Sequence, residues 1–226
     1  MSTEYVQPLP VARQGSTSLF ATHRVLRNTY ALLSLTLLFS ATTAAASAAL
    51  ALPHPGLLLT LAGFFGLLFV TARLRHSGWG VLSVFGLTGF MGYTLGPILG
   101  RFLALPDGPQ VVAMAMGATA AIFAALSAYA LVTRKDFSFM GGFLLAGIVV
   151  ALLASLGALF VDMPALSLTI SAAFVLLMGG LILFETSRIV HGGETNYVMA
   201  TVSLYVSLYN LFVSLLSLFG FGSSSE

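Results

Sequence analysis

Long apolar stretches alternate with short polar breaks along this chain. The apolar runs are each about 20 residues long and carry almost no charge, the signature of helices that cross a bilayer. Proline, glycine and charged clusters mark the breaks. They predict helix 1 over about Leu26–Leu52, helix 2 over Leu57–Ala72 and helix 3 over Val81–Leu105. Helix 4 follows over Val111–Val132, helix 5 over Met140–Phe160, helix 6 over Ala165–Val190 and helix 7 over Tyr197–Gly220. The expected organisation is a polar tail over residues 1–24, a seven-helix transmembrane domain over 25–222 and a short tail over 223–226. No apolar core precedes residue 25, so no cleavable signal peptide is expected. Short strands of alternating polarity, which a membrane barrel would need, are absent, and the fold class is all-α.

Three of these helices carry a pattern besides apolarity. Helix 7 has a polar stripe, Ser203, Ser207, Asn210, Ser214 and Ser217, spaced by 4, 3, 4 and 3 residues and therefore on one face. Lipid gives such a stripe no partner, whereas neighbouring helices can approach it closely and hydrogen-bond to it. Helix 7 is therefore expected to be interior. Helix 3 carries a ridge of Gly92, Gly96 and Gly100, which favours a tight helix crossing. It also contains Pro97, which predicts a kink, or a freed carbonyl that needs another donor. The second half of helix 1, Ser40–Ala49, is almost entirely Ala, Ser and Thr, again suited to close packing.

Composition agrees with the membrane reading. Of 226 residues, 58% are hydrophobic and 7% charged, against about 25% charged in a soluble domain. With no cysteine, disulfide scaffolds, thiolate metal sites and cysteine nucleophiles are excluded. The net charge of +2 calls for no nucleic-acid partner, because topology accounts for the basic residues. Arg13, Arg24, Arg27, Arg73, Arg75, Arg134, Lys135 and Arg188 fall on one side of a seven-helix topology, and Arg101 alone on the other. That bias places the N-terminus in the cytoplasm and the C-terminus on the far side. The last crossing rests on the length of helix 7, since no basic residue follows it.

Glu185 is the only carboxylate within the expected spans. It lies 20 residues into helix 6, about 30 Å along it and near the cytoplasmic interface. An acid there needs a partner or water. Arg188, at i+3, could simply neutralise it. Alternatively Glu185 could act as a protonatable latch toward Arg73 or Arg75 of helix 2, or toward the stripe of helix 7. The four histidines are scattered over separate flanks without metal-ligand spacing, and neither HExxH nor a GxSxG nucleophile turn occurs. The only lysine, Lys135, is in a loop, which argues against a Schiff base inside the bundle. No enzyme activity, metal or cofactor is expected.

The segments THRVLRNTYALLSLTL, GYTLGPIL, TRKDFSF, LFETSRIVHGGETNY and ATVSLYVSLYNLFVSLL together resemble the Bax inhibitor (TMBIM) family, and within it the YccA-like proteobacterial branch. The resemblance runs from about Thr22 to Gly220. It implies a seven-helix fold with the last helix at the centre, ringed by the other six. It also implies one of two functions. Members of the YccA-like branch are inner-membrane modulators, and slow substrates, of FtsH, the membrane-anchored AAA protease. Other bacterial members are pH-sensitive calcium leak channels, in which two acids on helices 6 and 7 share a proton and an arginine of helix 2 engages them. Glu185 matches the first acid, Ser207 stands where the second would be, and Arg73 or Arg75 would supply the arginine. The expectation is an FtsH modulator in the inner membrane, with lipid as its surroundings. The alternative is a calcium or cation leak gated around Glu185.

Overall fold

The computed structural model describes residues 14–158, 160 and 163–223, with side chains described over 22–158, 160 and 163–221. Among them are seven α-helices and no strand. These are α1 (Gln14–Ala49), α2 (Leu57–Leu74), α3 (Trp79–Leu103), α4 (Gly108–Thr133), α5 (Gly141–Ala158), α6 (Pro164–Val190) and α7 (Tyr197–Ser223), with a single 3-10 turn at Ser138–Met140 ahead of α5. All seven are long and apolar enough to cross a membrane. Residues 1–13 of the expected tail, Asp162 in the turn before helix 6, and residues 224–226 lie outside the described residues.

The main difference from the expected boundaries is at the start. α1 begins at Gln14, about twelve residues before Leu26. Polarity is no barrier to helix formation outside the bilayer, and no proline interrupts the chain between Gln14 and Leu52. The turn after α1 uses left-handed backbone at Ala51 (φ 49°) and Gly56 (φ 86°), around Pro53 and Pro55. Pro164 opens α6 at its first position, where a missing N–H leaves no bond unmade.

The tightest crossing joins α1 to α3. A Cβ on Gly92 would strike the Ser40 carbonyl and the Thr43 hydroxyl, and one on Gly96 would strike the Ser47 side chain and the Ala48 backbone. The small residues of helix 1 and two glycines of helix 3 thus bring the backbones together. Gly100 departs from the expected ridge: nothing lies within 4 Å of where its Cβ would be. The two helices have diverged by that point. The first member of the ridge is instead Gly89, which faces the Phe39 ring. Pro97 does not break α3, which continues through it. The carbonyl that a proline frees is four residues back, here Tyr93. Ser47 Oγ donates to that carbonyl at 3.0 Å.

α7 packs against α1, α2, α3, α4 and α6. Half of its most apolar window is buried, against 6% for α2 and 11% for α5. α5 lies outermost: it packs on α6 and the 3-10 turn and has no contact with α7. A complete ring of six helices around helix 7 is therefore not what the described residues form.

Candidate functional site

The candidate site lies where α6 ends, at the end of the bundle that carries most of the basic residues. α6 terminates in a glycine cap. Gly192 takes φ 74°, its N–H donates to the Ile189 carbonyl at 3.2 Å, and the Gly193 N–H donates to the Arg188 carbonyl at 2.8 Å. This closes the last carbonyls of the helix and reverses the chain. Asn196 then starts α7. Its Oδ1 accepts from the N–H groups of Val198 (3.0 Å) and Met199 (3.1 Å). Its Nδ2 donates to the Arg75 carbonyl at 2.8 Å, tying the start of α7 to the end of α2.

Within this frame Arg188 sits between two carboxylates. One guanidinium nitrogen is 3.5 Å from Glu185 Oε2 and the other is 3.7 Å from Glu194 Oε2. The guanidinium also lies 5.5 Å from the centre of the Phe184 ring. Glu185 is buried, with 6% of its surface exposed, while a third of the Arg188 side chain reaches solvent. Glu194 is fixed by the Asn196 N–H, which donates to its Oε1 at 2.8 Å. The charges thus form a local chain, Glu185–Arg188–Glu194, closed across the turn between α6 and α7.

Arg73 and Arg75 do not join it. Among the described residues no ion pair links either of them to Glu185. Arg75 donates from Nε to His76 Nε2 at 3.1 Å and meets the α7 start only through its backbone carbonyl. The expected contact from helix 2 is replaced by a partner one helical turn away, which needs no approach between helices.

The same end of α6 holds the loop between α4 and α5. Ser187 Oγ donates to the Lys135 carbonyl at 3.1 Å and accepts from the Phe137 N–H at 3.0 Å. The His191 ring spans the two segments, with Nδ1 2.9 Å from the Ser187 carbonyl and Nε2 3.0 Å from the Arg134 carbonyl. The Ser187 hydroxyl is also 3.3 Å from Nδ1. Asp136 accepts from the Ser138 N–H at 2.8 Å. Hydrogen bonding from Ser138, side chain first and backbone second, holds the Asp136 carboxyl below its usual range. His191→Leu is expected to remove the staple, costing about 1–2 kcal/mol of local stability. Trypsin nicking after Arg134 or Lys135 should then rise about tenfold, and an unchanged rate would mean that the loop is held elsewhere.

The polar stripe of α7 behaves differently from its expected role. Ser207 is fully buried, but its hydroxyl donates to the Ser203 carbonyl of the same helix at 3.0 Å. Asn210 donates to the Val206 carbonyl at 2.8 Å and Ser217 to the Val213 carbonyl at 3.0 Å. Each of these bonds closes on the helix's own backbone four residues back. Ser214 is buried and Ser203 half-buried on the same stripe. Hydrogen bonds that do run from α7 to other helices include several from residues that sequence reasoning passed over. Thr201 donates to the Thr29 carbonyl at 3.3 Å. Tyr205 pairs with Ser40 Oγ at 2.6 Å and donates to the Thr88 carbonyl at 3.3 Å. Tyr209 pairs with Thr94 Oγ1 at 3.3 Å. Their signal was available: Tyr197, Thr201, Tyr205 and Tyr209 recur at every fourth residue.

Comparison with known proteins follows the same boundaries. The family model described as "Inhibitor of apoptosis-promoting Bax1" matches residues 22–224. A protein of Escherichia coli (strain K12) named "Modulator of FtsH protease YccA" is 60% identical over 207 residues, covering 92% of this chain and 94% of that protein. "Inner membrane protein YccA" of E. coli O6:H1 is similar to the same degree. An uncharacterized protein of Pseudomonas aeruginosa is 55% identical over 202 residues, covering 89% of this chain and 91% of its own length.

Proposed function

The chain belongs to the Bax inhibitor family, and on that premise we propose that it is a non-catalytic inner-membrane protein that binds the FtsH protease and modulates it. One observation carries this reading: 60% identity, over 92% of the chain, to a protein named as a modulator of FtsH. Similarity of that depth and length supports a shared partner as well as a shared fold. The basic ends of the helices are assigned to the cytoplasm by their charge bias. The polar N-terminal stretch, residues 1–24, whose part from Gln14 onward forms the first turns of α1, is the segment a cytoplasmic protease would grip.

The test is co-purification. A tagged chain should retain FtsH from solubilised membranes and, when overproduced, should slow degradation of a second FtsH substrate at least severalfold. Failure of both would sink the proposal. Deleting residues 1–20 is expected to slow the chain's own turnover while leaving binding intact, and unchanged turnover would remove the tail from the mechanism.

A calcium leak gated around Glu185 is favoured by one observation, the burial of that carboxylate near the basic end. Two features of the site weigh against it. Glu185 is paired with Arg188 in its own helix, and Ser207 offers no second acid. Liposomes holding the purified chain are expected to show no calcium flux that rises at acid pH and is lost in Glu185→Gln. Such a flux would favour the leak instead.

A further inference from the structure

The bundle contains a large apolar cleft that none of the foregoing uses. It has a volume of about 1040 Å³ and is walled by α1, α3 and α4, with α7 as its floor. That is at the upper end of the range of ligand pockets, roughly 300–1,000 Å³. The cleft exists because five of its eight α1 lining residues are alanine, Ala44 and Ala48 among them, and because the α1 and α4 backbones stand apart beside it, the two helices meeting through the Tyr30 and Phe123 rings, whose centroids are 5.9 Å apart. Its rims are exposed: Ala41 and Ala45 on α1, Met116 and Ala120 on α4. All four lie inside segments long and apolar enough to cross a membrane. The mouth therefore opens sideways, at the depth of the hydrocarbon.

Two observations decide what fills it. The polar groups at the floor are already satisfied: the Tyr205 hydroxyl is bonded to Ser40 and the Thr88 carbonyl, and the Tyr209 hydroxyl to Thr94. Water needs two to four polar partners and finds no unbonded hydroxyl there. The position along the bundle supplies the rest. The cleft uses α1 only from Leu37, α3 only from Leu95 and α4 only up to Phe123. This is the half of the bundle away from Arg73, Arg134 and Arg188. What meets an apolar opening at that depth is lipid.

We propose that this cleft binds the acyl chain of a phospholipid from the leaflet opposite the basic ends, entering between α1 and α4 and lying on Tyr205 and Phe212 of α7. The occupied cleft completes the packing of α7 on its α1–α4 side, where no helix closes over it.

The test uses vesicles of phosphatidylcholine brominated along the acyl chains, which quench tryptophan on contact. In a Trp79→Phe background, a Phe212→Trp reporter should lose more than half of its emission. A Leu58→Trp reporter on the exposed face of α2 sets the level for full lipid contact. Narrowing the mouth with Ala45→Phe and Ala120→Phe together should restore emission at position 212 at least twofold and leave the control unchanged. An unquenched reporter, or quenching that narrowing does not alter, overturns the proposal. Native mass spectrometry of detergent-washed protein without a reporter gives a second reading. The unsubstituted chain should carry a bound phospholipid that the Ala45→Phe, Ala120→Phe variant lacks, and equal retention counts against the cleft.

Discussion

Arg188→Met is expected to destabilise the folded protein by about 3 kcal/mol, the largest effect of any charge change at the basic end. Removing one member of a buried ion pair costs about 3–5 kcal/mol, because the other charge is left stranded. Here the stranded group is Glu185, buried in α6 with Arg188 as its ion-pair partner among the described residues. Arg188 is itself one-third exposed, which puts the expected loss at the lower end. Glu185→Gln should be milder, about 1 kcal/mol, since Arg188 keeps Glu194 and its access to water. The double variant should lose less than the sum of the two, because once Glu185 is neutral there is no charge to strand. Equilibrium unfolding in mixed micelles measures all three. An Arg188→Met variant within about 0.5 kcal/mol of the unsubstituted protein would mean that Glu185 is hydrated or held by another group.

What the sequence revealed, and what it hid, divides along physical lines. The bilayer imposes its thickness on every span, so the seven helices could be counted from run length alone. Local chemistry was equally readable: Glu185 and Arg188 are one turn apart, so their pairing needs no knowledge of the fold. Pro97 announced a carbonyl in need of a donor, but only the α1–α3 crossing shows that Ser47 supplies it. Periodicity says which residues share a face, and nothing about which neighbour faces them. The stripe of Ser207, Asn210 and Ser217 looked like an interhelical seam, yet those groups bond to their own helix. Short polar side chains reach the carbonyl four residues back with ease. The longer tyrosines cannot, and it is Tyr205 and Tyr209 that cross to α1 and α3. The staple from Ser187 and His191 to the loop after α4 was hidden for another reason: it depends on how the α4 and α6 ends sit together. Family resemblance implied an arginine contact from helix 2, whereas Glu185 is paired here with Arg188 of its own helix.

The three glycines of helix 3 make the sharpest test of the crossing, because they look alike in sequence and differ in surroundings. Gly96→Ala is expected to cost about 2–6 kcal/mol. Its Cβ would meet the Ser47 side chain and the Ala48 backbone, so the flank of α1 must move away. Overpacking of that kind costs about 1–3 kcal/mol. The displaced Ser47 hydroxyl also leaves the Tyr93 carbonyl without its donor, and an unmet buried acceptor adds about 1–3 kcal/mol. Gly92→Ala should behave in the same way, since its Cβ runs into the Ser40 carbonyl. Gly100→Ala meets nothing within 4 Å, so only intrinsic preference acts, and alanine is favoured over glycine inside a helix by up to about 1 kcal/mol. The third substitution is therefore expected to be neutral or stabilising. Paired unfolding measurements of Gly96→Ala and Gly100→Ala decide the matter, because helix propensity is the same for both and cancels in the difference. If the two shifts were equal, α1 and α3 could not be crossing at Gly92 and Gly96, and Pro97 would have to find its compensating donor elsewhere.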